Sequence, residues 1–137
     1  PLYSSAASDV YKRQPFTMVI DASVVGMGGA LFQDDQIVAY ESQKFSSTEA
    51  NYQTTERELL ALVQCLKKWA VYMRHNPDNI IFTDHIPNTY FKTKPTLSPK
   101  EIRWMDVINQ FPGQIKYKPG KENIVADALV INSWVRL

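Results

Sequence analysis

The first clear pattern along the chain is the alternation in Phe16-Thr17-Met18-Val19-Ile20-Asp21. Phe16, Met18 and Ile20 point one way and Thr17, Val19 and Asp21 the other, which predicts a buried strand ending on an acid. Three glycines in four residues, Gly26 to Gly29, then mark a turn and a second strand running to Gln33. Asp34-Asp35 reads as a tight turn and Gln36 to Ser42 as a third strand, so the front of the chain is an antiparallel meander. Phe45 to Tyr52 is a polar connection. Within it and just after it, Ser46 with Glu49 and Thr55 with Glu58 have capping-box spacing.

Leu59, Leu62, Val63, Leu66, Trp69 and Met73 recur at three and four residues. That is the stripe of a core-facing helix, stopping near His75-Asn76-Pro77. Glu58 lies on the same stripe in its first turn, where a capping or dipole role is the alternative to a functional one. Asn79-Ile80-Ile81-Phe82-Thr83-Asp84 repeats the opening device, an apolar strand running into an acid. Pro87 opens a short helix through Phe91. Residues 92–99 form a loop, and a helix from Ser98 or Lys100 carries Ile102, Met105, Val107, Ile108 and Phe111 until Pro112-Gly113 ends it. Gln114 to Lys118 is a fifth strand. Ile124 to about Asn132 is a last helix, with Asn123 a cap and Asp127 in its second turn. The order β-β-β-α-β-α-α-β-α predicts an α/β fold, a mixed sheet covered by helices.

A chain of 137 residues suits one domain. Its expected span is 15–132. Residues 1–14 lack an amphipathic period and resemble a non-native remnant, or else an upstream linker, in either case poorly ordered; 133–137 form a C-terminal remnant. No apolar run reaches the roughly 18 residues of a membrane span. Cys65 is the single cysteine, which excludes an internal disulfide and a cysteine metal cluster, and mid-helix it reads as a small buried residue. A net charge of +1 is too small to hold nucleic acid by charge alone.

Two strand-end acids, one acid on a core-facing helix and one in the last helix make a suggestive set. Taken alone, Asp21 also fits the start of a turn. Gathered at one sheet edge, however, four carboxylates repel one another unless cations neutralise them. Hard divalent ions prefer oxygen ligands, and two of them about 4 Å apart can activate a water and stabilise a leaving oxygen. The pattern therefore points towards phosphodiester hydrolysis.

Several segments carry a resemblance in order: Asp21-Ala22-Ser23 with Gly26-Met27-Gly28-Gly29-Ala30, Glu56-Arg57-Glu58-Leu59-Leu60-Ala61, Thr83-Asp84-His85, and Tyr117-Lys118-Pro119-Gly120-Lys121-Glu122-Asn123-Ile124-Val125-Ala126-Asp127-Ala128-Leu129. Together they resemble the ribonuclease H domain of gypsy-type LTR retrotransposon reverse transcriptases, from Phe16 to Leu129. The resemblance implies a ribonuclease H-like fold with a five-stranded mixed sheet flanked by helices. It implies hydrolysis of the RNA strand of RNA·DNA hybrids with two Mg²⁺ or Mn²⁺ ions. It assigns catalysis and metal binding to Asp21, Glu58, Asp84 and Asp127, with Glu58 preferred to Glu56 because it directly precedes Leu59-Leu60-Ala61. Asp21 would bridge the ions, Asp127 would hold the one that activates water, and Glu58 and Asp84 the other.

By the same resemblance Thr54, Thr55, His85 and Asn123 are substrate-side positions. The alternative for the two threonines is helix capping, and for His85 it is packing. Arg103 with Trp104 reads as a phosphate or base contact, or with Trp104 in the core, and Lys67-Lys68 as a solvated face. The implied partners are the hybrid and a polymerase domain in a parent polyprotein, with no membrane. The implied location is cytoplasmic, in a retroelement's virus-like particle. Cellular and retroviral relatives place a His near the position of Tyr117, and this chain does not, so proton handling would use water or another group. Relatives also continue past Leu129 with Ser-Arg where this chain has Val130-Ile131. A catalytically decayed domain with a structural or binding role is the alternative reading. An integrase-like core fits less well, since all four acids and the Tyr117 to Asn123 run are present.

Overall fold

A computed structural model describes residues 14–84 and 86–117. Five strands form one sheet: β1 (Thr17–Ala22), β2 (Gly26–Gln33), β3 (Gln36–Lys44), β4 (Ile80–Phe82) and β5 (Gln114–Lys116), in the order β3-β2-β1-β4-β5. The front three strands pair antiparallel and β4 and β5 join parallel to β1, so the sheet is mixed as the element order predicts. The helices are α1 (Ser47–Ala50), α2 (Thr54–Lys68), α3 (Ala70–Met73), α4 (Pro87–Lys92) and α5 (Pro99–Ile108). The expected last helix, with Asn123 and Asp127, lies outside the described residues, as do His85 and the two expected terminal segments except Gln14.

β1 is central because its side chains allow nothing else. Phe16, Met18 and Ile20 enter the main core, and Val19 on the opposite face is buried as well. Asn79 fastens the start of the strand. It is fully buried; its Oδ1 accepts from Phe16 N (2.7 Å) and its Nδ2 donates to Tyr72 O (3.2 Å). Its backbone carbonyl accepts from Gln114 N (3.0 Å), so one side chain and its peptide tie β1, α3 and β5 together. The β2–β3 turn places Asp34 and Asp35 at φ 54° and 62°. Two left-handed residues in a row are the signature of a two-residue hairpin turn matching strand twist.

α2 lies across β1 and β2 with Leu59, Leu62, Val63 and Leu66 buried, and α5 packs on α2. Gly29 lets it come close: a Cβ there would sit 2.5 Å from Cys65 Sγ and 3.4 Å from the Trp69 ring.

Four local expectations are corrected. The connection over 45–52 contains α1, because Ser46 Oγ accepts from Glu49 N (3.1 Å) while Glu49 Oε1 accepts from Ser46 N (2.9 Å). α2 starts at Thr54, with Glu56 Oε1 accepting from Gln53 N (3.2 Å); Thr55 is not a cap, and Glu58 falls in the second turn. The expected single helix to residue 75 breaks at Trp69 (φ −109°, ψ 29°), although Trp69 and Met73 stay buried. In α5 the inward positions are Glu101, Trp104 and Ile108, and Ile102 is exposed. Burying Glu101 is possible because Lys94 meets it at 2.8 Å.

Candidate functional site

β1 and β4 are parallel neighbours, so their C-terminal ends open on the same edge of the sheet. Asp21 and Asp84 lie at those ends. α2 crosses beneath and brings Glu58 to the same place. One carboxylate oxygen from each of Asp21, Glu58 and Asp84 lies within 4.8 Å of the other two. Asp21 is half-buried, Glu58 is buried and Asp84 is exposed, so the cluster has a covered floor and an open rim.

Glu58 can stay beneath because donors meet it. Thr83 Oγ1 donates to Glu58 Oε1 at 3.1 Å, and the backbone N–H of Asp84 donates to the same oxygen at 3.2 Å. A buried carboxylate without such bonds costs several kcal/mol, so these donors make the position tenable. Its neighbour Glu56 is committed elsewhere, paired with Lys100 at 2.8 Å. Burial pushes its carboxyl up, but the bonds from Lys100 and Gln53 outweigh that and leave it below the ordinary range. The two acids of the Glu56-Arg57-Glu58 run thus have separate fates, one structural and one in the cluster.

Three carboxylates this close repel one another unless a cation lies among them. The donor set is entirely oxygen, which suits a hard divalent ion and not a thiolate-seeking metal. The residues present therefore fit Mg²⁺ or Mn²⁺. Cys65 offers no alternative ligand, since burial, with the Glu41 and Glu58 carboxylates adding to it, holds its thiol protonated well above the usual range.

Among the other sequence-predicted positions, Thr54 is exposed and Thr55 half-buried in the first turn of α2, one turn before Glu58. Thr54 Oγ1 accepts from Arg57 Nη2 at 3.4 Å. Trp104 is core, and Lys100 Nζ stands 5.1 Å from its ring centroid and 3.8 Å from that of Tyr52. Arg103 is exposed. Asp127, His85 and Asn123 lie outside the described residues. The sequence pattern assigns Thr83 no role of its own. The available signal was its register: Ile81 faces inward, so the residue two further on does too, and a hydroxyl there needs an acceptor.

Comparison with known proteins places these features. Residues 12–111 match the family described as the RNase H-like domain found in reverse transcriptase. The chain is 40% identical over 117 residues to the retrovirus-related Pol polyprotein from transposon gypsy of Drosophila melanogaster, covering 85% of this chain and 11% of that protein. It is 35% identical over 118 residues to the transposon Tf2-3 polyprotein of Schizosaccharomyces pombe, covering 80% of this chain and 9% of the relative. The chain thus spans only about a tenth of the length of these relatives. Among solved structures, the foamy viral protease-reverse transcriptase in complex with RNA/DNA hybrid superposes with a TM-score of 0.64 at 18% identity, over 78% of this chain and 15% of that one. LC11-RNase H1 in complex with RNA/DNA hybrid gives 0.57 at 10% identity, over 79% of this chain and 88% of the other. At those identities the likeness is one of fold.

Proposed function

The chain belongs to the RNase H-like domain family found in reverse transcriptase, and from that premise we propose that it hydrolyses the RNA strand of RNA·DNA hybrids during reverse transcription of a retroelement. The observation that carries the reading is the convergence of Asp21, Glu58 and Asp84, from three separate elements, to within 4.8 Å at one sheet edge. The family match supports the substrate class.

Asp21, Glu58 and Asp84 would hold the divalent ions, with Asp127 as the fourth acid. When bound, two Mg²⁺ or Mn²⁺ ions would supply an activated water and charge stabilisation for the leaving oxygen. The chain's own contribution is placement. β1 and β4 fix Asp21 and Asp84 at the ends of paired strands, and the paired donors on Glu58 hold the covered acid in one orientation. Asp84, exposed on the rim, faces incoming phosphate. Thr54 and Thr55, one turn before Glu58, are the hydroxyls we assign to sensing the 2′-hydroxyl of RNA, which distinguishes RNA from DNA. His85 and Asn123 take substrate-side roles in the same proposal. The domain would act beside a polymerase domain of a parent polyprotein, in the cytoplasmic particle of the element.

The test is cleavage of an end-labelled RNA·DNA hybrid in Mg²⁺ by the parent and by Asp84→Asn, with an all-DNA duplex alongside. We expect the parent to cut only the RNA of the hybrid and Asp84→Asn to lose more than about 100-fold, since a metal ligand contributes several kcal/mol to the transition state. Equal cutting by both would assign the activity elsewhere. No cutting by either, in Mg²⁺ or Mn²⁺, would leave a domain that keeps the fold without turnover.

A further inference from the structure

We propose that Thr83 is a positioning residue for the carboxylate cluster: its hydroxyl, together with the Asp84 N–H, sets the orientation in which Glu58 meets a divalent cation. The inference rests on the metal-dependent reading of the cluster given above. Thr83 is fully buried, immediately before Asp84 and just past the end of β4. Its backbone N–H donates to Lys116 O at 3.0 Å, which pins its main chain to β5. A β-branched side chain on a pinned backbone has little freedom about χ1, so the direction of its hydroxyl is set by the sheet.

That hydroxyl and the Asp84 amide converge on a single oxygen, Glu58 Oε1, at 3.1 and 3.2 Å. Two donors from the end of β4 meeting one oxygen restrict how far the carboxylate can swing, and so act on how it aligns with Asp21 and Asp84. The acceptor is charged, which makes both bonds stronger than neutral ones. Partners that orient metal ligands in this way commonly change metal affinity about 10- to 100-fold when removed.

A merely structural hydroxyl would tie β4 to α2 and affect stability alone, so the readout has to be the ion. Mn²⁺ binding is titrated by the loss of the free-ion electron paramagnetic signal for the parent, Thr83→Val, Thr83→Ser and Asp84→Asn, each at a temperature where circular dichroism shows it folded. Thr83→Ala provides a second hydroxyl-free side chain should the valine variant fail to fold. We expect Thr83→Val to weaken Mn²⁺ binding about tenfold or more and Thr83→Ser, which keeps the donor but loses the β-branch, to bind between Thr83→Val and the parent. If Asp84→Asn loses affinity while the hydroxyl-free variants keep it, Thr83 is structural and this inference alone fails. If Asp84→Asn binds as the parent does, the cluster is not the metal site, and the reading beneath the inference fails with it.

Discussion

Replacing Gly29 by alanine tests how α2 is seated, and with it how Glu58 reaches the sheet edge. The added methyl would lie 2.5 Å from Cys65 Sγ, about 1 Å short of the roughly 3.5–4.0 Å of normal contact. Cys65 is fully buried, so the clash is relieved only if the sulfur leaves its packed position or the helix moves. Forced overpacking of this kind costs about 1–3 kcal/mol. With the roughly 118 residues of the expected 15–132 domain unfolding at about 2.1 cal/mol/K each, the melting temperature should fall by roughly 4–12 °C. Cys65→Ala alone leaves a small void and should cost about 1 kcal/mol. Combined with Gly29→Ala, it removes the clashing atom, and the new methyl occupies the space the sulfur leaves. Urea denaturation of the four proteins should therefore give a favourable coupling of about 1 kcal/mol or more. If Gly29→Ala is neutral within about 0.5 kcal/mol, or the two costs simply add, α2 does not rest on Gly29 through Cys65.

Three further outcomes follow from the packing. Asn79→Ala would remove both the acceptor of the buried Phe16 N–H and the bond to Tyr72 O, and should cost about 2–4 kcal/mol in a denaturant titration. Asp35→Gly relieves a left-handed residue in the β2–β3 turn and should raise the unfolding free energy by about 0.5–1 kcal/mol; a loss of stability would mean that the aspartate has another role. Glu101 has a depressed carboxyl: burial pushes it up, but the bonds from Lys94 and the Ser98 backbone bring it from 4.5 to about 2. Because the folded value lies below the unfolded one, the group contributes stability above about pH 4.5 that is lost as pH falls towards about 2. Acid unfolding curves should therefore be less steep for Glu101→Gln than for the parent over that window, and parallel curves would contradict the assignment.

Much of this was legible in the residues. The alternation of Phe16 to Asp21 and the apolar run Ile80 to Phe82 identify two buried strands ending on acids, and their parallel pairing then brings the acids together. The helical stripe from Leu59 to Met73 was correct in every inward position, yet it concealed the break at Trp69. Periodicity reports which face is buried, and a local kink that keeps the face leaves the period intact. The stripe of α5 misled at Ile102 because the inward place is taken by Glu101, whose burial depends on Lys94 from the preceding loop, a contact that no local pattern carries. Thr83 was overlooked for a similar reason: its acceptor lies 25 residues away on another element.

The proposed function requires that divalent ions belong among these acids. Melting temperatures of the parent and Asp84→Asn, each in chelator and in Mn²⁺, test it most directly. In chelator, Asp84→Asn should melt at or above the parent, since one repelling charge has gone. In Mn²⁺ at about ten times the dissociation constant, only the parent should gain, by about 1.4 kcal/mol, and the order should reverse. A parent whose melting temperature does not respond to the metal would contradict the account.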